Sequence, residues 1–187
     1  NQPETRNALT GNTAVDEFVQ ACAQIARDPS IRVVVLTGAG PVFSSGGNVK
    51  DMQRYEQQDL APDVIREEYR QGIQRLPKAL YHLDVPVIAA VNGPAIGIGA
   101  TLLLHCDLVY VGSSARLQFP FVNIGICAEF ASTFLMPRFM GHVKAAELLL
   151  LGEPFSAQVA VDGGIANAVL ADDQVEAHAL ERALKLA

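Results

Sequence analysis

The stretch PVIAAVNGPAIGIGATLLLHCDLVY, from Pro86 to Tyr110, decides the fold. Pro86 to Val91 is apolar throughout, which predicts a strand buried on both faces. Asn92 to Gly99 forms a glycine-rich turn, Ala100 to His105 a short apolar helix, and Asp107 to Val111 a further strand. This order of strand, turn, helix and strand predicts an α/β fold with parallel strands.

A second segment, RVVVLTGAGPVFSSGGNVKDM from Arg32 to Met52, follows a similar order. Ile31 to Leu36 is rich in valine and predicts another strand covered on both faces, and Thr37 to Gly47 predicts a loop rich in glycine, proline and serine. Before it, apolar residues spaced by three and four predict an amphipathic helix over Thr13 to Arg27, with Asn12 or Thr13 as its N-cap.

The remaining segments complete the predicted α/β pattern. Asp59 to His82 is polar and compatible with a helix, so we expect an exposed, mobile element that begins at Pro62 and kinks at Pro77. Downstream we expect, in chain order, an irregular stretch (Leu117 to Glu129), two helices (Ser132 to Met140 and His142 to Leu151), a short helix capped by Ser156 and ending at Gly163, a strand (Ile165 to Leu170) and a terminal helix.

Composition limits the classes of function. The 187 residues, half of them hydrophobic, predict a single core domain over 1–187. A net charge of -6 and a pI of about 5.1 give no basic footprint for nucleic acid or an anionic membrane. Three widely separated cysteines favour a reducing, cytoplasmic compartment over a disulfide framework or metal site. Because the chain opens with Asn1 and not Met, a fragment of a longer protein is kept as an alternative.

The two glycine-rich turns are candidates for an anion site. Each follows a predicted strand and precedes a predicted helix, so unpaired backbone N–H groups are expected to face outward there. Two such donors converging on one oxygen would form an oxyanion hole. The alternative is that the glycines only serve tight turns and close packing.

Several segments together resemble the crotonase, or enoyl-CoA hydratase/isomerase, superfamily. They are Asn7 to Leu9 (NAL), the two glycine-rich segments with their flanking strands, and GEPFSAQVAVDGGIANAV at Gly152 to Val169. The resemblance implies a crotonase-like spiral of β-β-α turns with flanking helices. It also implies an acyl-CoA thioester as substrate, no cofactor beyond its coenzyme A, no metal, and a homotrimer or hexamer. Such proteins normally have a strand before the position of Asn1 and helices after that of Ala187.

The same resemblance implies the site residues. The N–H groups of Gly47 and Ile98 match the two oxyanion donors, although glycine is usual at the Ile98 position. The Arg6 to Leu9 and Ser45 to Val49 segments resemble those that hold the adenine and the pantetheine. Residues assigned to substrate binding on this basis are Ala8, Leu9, Ser45, Gly46, Asn48, Val49, Gly97, Gly99 and Phe121.

The acid/base residues separate the possible reactions. Hydratases of the superfamily carry two glutamates, at positions that read Thr101 and Phe121 here. Glu129 instead matches the single catalytic glutamate of Δ3,Δ2-enoyl-CoA isomerases. We expect burial to raise its pKa toward neutral, because it is flanked in sequence by apolar residues: Phe121, Ile126, Phe130 and Phe134.

Alternatives to the isomerase hypothesis stay open. Glu129 could be an ordinary polar turn residue ahead of the Ser132 helix, while His105 is expected to be a satisfied core residue and Asp107 a cap or turn residue. With the acyl-CoA and the oxyanion hole retained, the reaction could be hydration by another base, thioester hydrolysis or decarboxylation. A crotonase scaffold that binds acyl-CoA without turnover is the third hypothesis.

Overall fold

The computed structural model describes residues 1–11 and 13–187, without the side chains of residues 51, 52, 55 and 56. Strands and helices alternate, which confirms the α/β class. In this described part the α-helices are α1 (Ala14–Ile25), α2 (Val49–Gln57), α3 (Pro62–Gln71), α4 (Arg75–Tyr81), α5 (Ile98–Thr101), α6 (Ser132–Met140), α7 (His142–Leu151), α8 (Ala157–Asp162) and α9 (Val175–Leu186). The strands are β1 (Val34–Thr37), β2 (Val87–Val91), β3 (Ala95–Ile96), β4 (Leu108–Gly112), β5 (Arg116–Gln118), β6 (Phe155–Ser156) and β7 (Ala168–Leu170).

The main sheet has the order β1-β2-β4-β7, and every pairing in it is parallel. Its strands are those that the sequence predicted, with Val34 opposite Val87 and Ile88 opposite Leu108. Parallel strands need crossover connections that cover the sheet faces, which explains why these strands are apolar at almost every position.

Strand β2 lies at the centre of this sheet and is fully buried. Alternate residues of β2 join different cores: Val87, Ala89 and Val91 join the larger one, and Ile88 and Ala90 join a smaller one under α9. The predicted burial on both faces is therefore correct for β2. It is wrong for β1, whose four residues are only half-buried because this strand is at the edge of the sheet.

A second, smaller sheet, of order β3-β5-β6, was not predicted. Strand β3 lies inside the stretch predicted as a turn, and β5 begins just before the stretch predicted as irregular. Strands of two or three residues show no measurable periodicity in sequence, so only the tertiary pairing identifies them. An isolated parallel bridge between Ser44 and Ala95 continues β3 toward the first glycine-rich segment.

The predicted helix between Asp59 and His82 is two helices. Helix α3 begins at Pro62, as predicted, and ends at Gln71, with Gly72 as its C-cap. Pro77 does not kink a helix, since it lies in the first turn of α4, where no intrahelical donor is needed. Leu76 and Leu80 of α4 are buried, so the expectation of an exposed element is wrong for this part.

Helix termini agree in part with the predicted caps. Asn12 lies outside the described residues, and Thr13 stands at the N-cap of α1 without a side-chain capping bond. Ser156 does cap α8, because its Oγ accepts a hydrogen bond from the N–H of Val159. Helix α8 ends at Asp162, and Gly163 is its C-cap, which agrees with the predicted end at this glycine.

Candidate active site

The two glycine-rich segments lie side by side. The N–H groups of Phe43 and Ser44 donate to the Pro94 carbonyl at 3.1 Å, and the N–H of Ile96 donates to the Ser44 carbonyl at 3.0 Å. These bonds form the parallel bridge between Ser44 and Ala95. Segments about fifty residues apart in sequence thus run together past the end of the main sheet.

Two glycines are required by this close approach. A Cβ atom on Gly46 would lie 2.4 Å from the Ile96 carbonyl oxygen, and one on Gly99 would lie 2.7 Å from Cβ of Ser44. Gly46 also has a φ of +83°, which L-residues rarely adopt. Gly97 has a φ of 54° with a ψ of -122°, so this turn too depends on glycine. The glycines that the sequence assigned to tight turns are therefore also required by the close packing of the two segments.

The N–H groups of Gly47 and Ile98 occupy equivalent places on the two segments. Each lies three residues beyond the bridge between Ser44 and Ala95. Within residues 1–11 and 13–187, neither N–H donates to a protein acceptor. By contrast, the N–H of Asn48 donates to Oγ1 of Thr10 at 2.6 Å. These two backbone donors, which lie on paired segments and lack protein acceptors in the described part of the chain, are the groups that could bind a developing oxyanion.

The N-terminal segment packs directly against the first turn. The Leu9 N–H donates to the Gly46 carbonyl at 2.8 Å, and the Ser45 N–H donates to the Arg6 carbonyl at 2.9 Å. The Asn7 side chain, which is buried, donates to two carbonyls of the loop before Ser44, those of Ala39 and Val42. Asn7 belongs to the NAL motif at Asn7 to Leu9, and these two hydrogen bonds hold the loop before Ser44 in place.

A cavity of about 340 Å³ opens beside this contact. Of the predicted substrate-binding residues, Ala8, Leu9 and Gly99 line it. Ser44 and Leu102 also line it. The cavity is thus bounded by both glycine-rich segments and by the N-terminal segment.

The other predicted substrate-binding residues lie outside this wall. Ser45, Gly46 and Gly97 belong to the paired turns, and Asn48 Oδ1 accepts a hydrogen bond from the Lys50 N–H at the start of α2. Val49 is 46% exposed on α2, whereas Phe121 is buried in the larger core.

Glu129 approaches the second turn from the segment before α6. Its main-chain carbonyl accepts hydrogen bonds from Ser132, from the N–H at 3.0 Å and from Oγ at 2.6 Å. Its side chain meets the hydroxyl of Thr101, whose Oγ1 donates to Glu129 Oε1 at 3.4 Å. The main chain therefore has the expected turn role, while the carboxyl group is directed to α5, the helix that begins at Ile98.

Burial governs the charge of Glu129. Loss of solvation raises the pKa of its carboxyl group from 4.5 to about 7, and the hydrogen bond from Thr101 opposes this rise. Of the expected flanking residues, Phe121 and Phe130 are buried. Phe134 is 55% exposed and lies under the Arg138 guanidinium, so it is wrong to count it among the buried surroundings.

Thr101 is the residue whose role sequence reasoning missed. It was noted only as the absence of a glutamate, yet its side chain is fully buried and contacts the candidate base. The available signal was a lone hydroxyl in the apolar run Ile98 to Leu104, because a buried hydroxyl needs a hydrogen-bond partner.

His105 and Asp107, both expected to have structural roles, contact backbone groups of the fold. Nε2 of His105 is 2.7 Å from the Phe130 carbonyl, with the two rings edge to face. Oδ2 of Asp107 accepts a hydrogen bond from the Val87 N–H at 2.8 Å, at the start of β2. Among the described residues, no three His, Cys, Asp or Glu side chains are grouped as a metal ion would require, and no helix is long and apolar enough to cross a membrane.

Known proteins with the same pattern are acyl-CoA enzymes by name. The chain is 36% identical over 188 residues to probable enoyl-CoA hydratase echA6 of Mycobacterium bovis, covering 100% of this chain and 72% of that protein. It is 34% identical over 190 residues to 1,2-epoxyphenylacetyl-CoA isomerase of Escherichia coli, covering 100% of this chain and 70% of that protein.

Solved structures agree with this grouping. A putative enoyl-CoA hydratase/carnithine racemase from Magnetospirillum magneticum superposes with a TM-score of 0.87 at 37% identity, over 100% of this chain and 69% of that one. Pseudomonas aeruginosa OdaA superposes with a TM-score of 0.86 at 42% identity, over 100% of this chain and 72% of that one. The family model described as enoyl-CoA hydratase/isomerase matches residues 1–187, and the chain belongs to that family, the crotonase superfamily.

Proposed function

We propose that this chain is an acyl-CoA isomerase that moves the double bond of a 3-enoyl-CoA to the 2-position. The observation that carries the proposal is the partly buried carboxyl group of Glu129, whose pKa of about 7 lets it both accept and return a proton near neutral pH. It lies against α5, whose first N–H, that of Ile98, is free of protein acceptors among the described residues.

The reaction requires one proton carrier and no net oxidation. The thioester carbonyl oxygen would accept hydrogen bonds from the N–H groups of Gly47 and Ile98. The carboxylate of Glu129 would remove a proton from C2, and the electron pair of that C–H bond would delocalise over the thioester as a dienolate. The same carboxyl group would then give the proton to C4, which leaves the double bond between C2 and C3.

The oxyanion hole supplies the larger part of the expected stabilisation. One backbone donor aimed at a developing oxyanion typically contributes about 3 to 4 kcal/mol in a site without water. The buried surroundings of the second turn, including Ile98, Gly99 and Thr101, favour such a value here because they exclude water.

A different reaction on the same substrate class is the second candidate. Several relatives are named as hydratases, among them 2,3-dehydroadipyl-CoA hydratase of Escherichia coli, at 34% identity over 187 residues. Addition of water to a 2-enoyl-CoA would use Glu129 as the base in the same oxyanion hole. The family resemblance implies glutamates in hydratases at the positions of Phe121 and Thr101, and their absence from this chain favours isomerisation.

A homotrimer or hexamer is part of the proposal. Large apolar side chains are exposed along α6 and α7, as expected of surfaces that contact other copies of the chain. The most exposed of them are Phe134, Phe139, Val143, Leu150 and Leu151.

The test is turnover by the purified protein. Conversion of 3-enoyl-CoA to 2-enoyl-CoA is followed by absorbance of the conjugated thioester, with release of free CoA and hydration of 2-enoyl-CoA measured in parallel. We expect isomerisation to be the fastest of the three, and Glu129→Gln to lower kcat by about 100-fold or more while substrate binding survives. Glu176→Gln on α9 is the matched control, since its carboxylate is exposed and outside the site.

Four outcomes would contradict the proposal. Near wild-type turnover by Glu129→Gln would make that residue structural. Hydration or CoA release faster than isomerisation would make that reaction the activity of the chain. Calorimetry separates the scaffold hypothesis: binding of acyl-CoA without any turnover would support it, and equal affinity for an acyl-CoA and its free acid would remove acyl-CoA as the ligand.

A further inference from the structure

The helix that starts at Ile98 presents two polar side chains one turn apart. Helix α5 continues as a 3-10 turn over Leu102–His105, so Thr101 and His105 both project from it toward the segment that carries Glu129. All three leucines between them are buried in the core. This helix therefore acts on the Glu129 segment through the hydrogen-bonding contacts of Thr101 and His105.

The Thr101 hydroxyl has one proton to donate and three possible acceptors within reach. Its Oγ1 is 3.3 Å from the Gly97 carbonyl oxygen, 3.4 Å from that of Ile98 and 3.4 Å from Oε1 of Glu129. A hydroxyl donates one hydrogen bond and accepts up to two. It can thus donate to the carboxylate when Glu129 is ionised. When Glu129 is protonated, the hydroxyl can turn to the Gly97 carbonyl and accept the carboxylic proton in a hydrogen bond.

His105 holds the backbone next to Glu129 in place. Phe130 and Ala131 both have φ near +55°, a conformation that costs side-chain-bearing residues roughly 1 to 3 kcal/mol each. The Phe130 carbonyl oxygen lies 2.7 Å from Nε2 of His105, and the ring of His105 packs edge to face on that of Phe130. These contacts fix the strained segment, and with it the distance between Glu129 and Thr101.

We propose that Thr101 is a positioning residue whose hydroxyl serves Glu129 in both of its protonation states. The proposal rests on the proposed role of Glu129 as the carrier that takes a proton and returns it. Such a carrier works best when the carboxylate and the carboxylic acid are both stabilised. A hydroxyl meets this need because it both donates to the carboxylate and accepts the proton of the carboxylic acid, whereas a backbone N–H can only donate.

The other titratable and charged groups on the surrounding elements are engaged elsewhere or exposed. His105 contacts the Phe130 carbonyl, and Arg138 on α6 donates to the Phe134 carbonyl and stacks on the ring of Phe134. The thiol of Cys127 is exposed on the segment that leads to Glu129. Among the described residues, Thr101 is the polar side chain that donates a hydrogen bond to the carboxyl group.

The experiment measures the titration of Glu129 without relying on turnover. Glutamate is labelled with ¹³C at Cδ, and the Glu129 resonance is identified as the one that Glu129→Gln removes. We expect Thr101→Val to raise the pKa of Glu129 by roughly one unit, because the hydroxyl binds the charged carboxylate about twice as strongly as the neutral carboxylic acid, and the variant loses both hydrogen bonds. Thr101→Ser, which keeps the hydroxyl, is expected to titrate within a few tenths of a unit of the wild type.

Two results would overturn the proposal: an unchanged pKa in Thr101→Val, or a Thr101→Ser protein that titrates like Thr101→Val. Thr101→Ala gives a second protein without the hydroxyl should the valine variant not fold. If the wild type isomerises 3-enoyl-CoA, the acidic limb of its kcat profile should shift with the same variants. If it does not, the proposed function fails while the ¹³C titration still decides the role of Thr101.

Discussion

Replacing Glu129 by glutamine should stabilise the fold at alkaline pH, at the expense of activity. The carboxyl group is partly buried against Thr101, and burial raises its pKa from 4.5 to about 7. The folded protein therefore holds this proton over a pH range in which the unfolded chain has lost it. Ionisation then costs the folded state free energy, and glutamine, which stays neutral, avoids this cost.

The pH window follows from the two pKa values. Below pH 4.5 the carboxyl group is protonated in both states, so Glu129→Gln and the wild type should be about equally stable. Between pH 4.5 and 7 the unfolded state binds fewer protons, so wild-type stability falls as the pH rises. Above pH 7 the difference is constant. A shift of this size corresponds to about 3 kcal/mol at pH 8 and about 1 kcal/mol at pH 5.5.

The assay is urea denaturation at pH 4, 5.5 and 8, at one protein concentration so that any assembly contributes equally. The midpoint of Glu129→Gln should exceed that of the wild type increasingly with pH. Glu176→Gln, in which an exposed carboxylate is removed, should show no such trend. A stability difference independent of pH, or a less stable Glu129→Gln protein at pH 8, would refute the assignment of a raised pKa to this carboxyl group.

Two further predictions concern the oxyanion hole and the assembly. Gly47→Pro removes one N–H, whereas Gly47→Ala keeps it, so we expect kcat to fall by about 100-fold or more in the first and much less in the second. Equal activity of the two folded variants in the isomerase assay would place the oxyanion donor elsewhere. Light scattering should give a mass of three or six times the 20.0 kDa of one chain. Val143 is 81% exposed on α7, so Val143→Glu should favour dissociation of the assembly. A monomeric wild type would contradict this expectation.

The sequence by itself determined the main sheet and the two glycine-rich turns. Strands β2 and β4 are continuous apolar runs, and each glycine turn follows a main-sheet strand, so periodicity and composition were sufficient. Glu129 was also singled out from sequence as the candidate base, through a resemblance in its local pattern and its apolar flanks. These features are local, and each is expressed by residues next to one another in the chain.

Only the tertiary structure decided which distant groups meet. The strands of the second sheet have two or three residues, too few for a pattern, and they form because the fold pairs Ala95 with Leu117 and Leu117 with Phe155, residues that are far apart in sequence. Likewise, Phe134 lies next to buried residues in sequence but is exposed, because its neighbours Ser132 and Met136 occupy the buried face of α6.

The contact between Thr101 and Glu129 was likewise predictable from sequence only in part. A buried hydroxyl in an apolar run indicates that some partner exists, but twenty-eight residues separate it from the carboxyl group it contacts. The positive φ angles of Phe130 and Ala131 and the contact of His105 Nε2 with the Phe130 carbonyl bring the Thr101 hydroxyl and the Glu129 carboxyl group together. Sequence thus specified the chemical groups, and their pairing was decided by the fold, because hydrogen bonds and desolvation depend on distance in space.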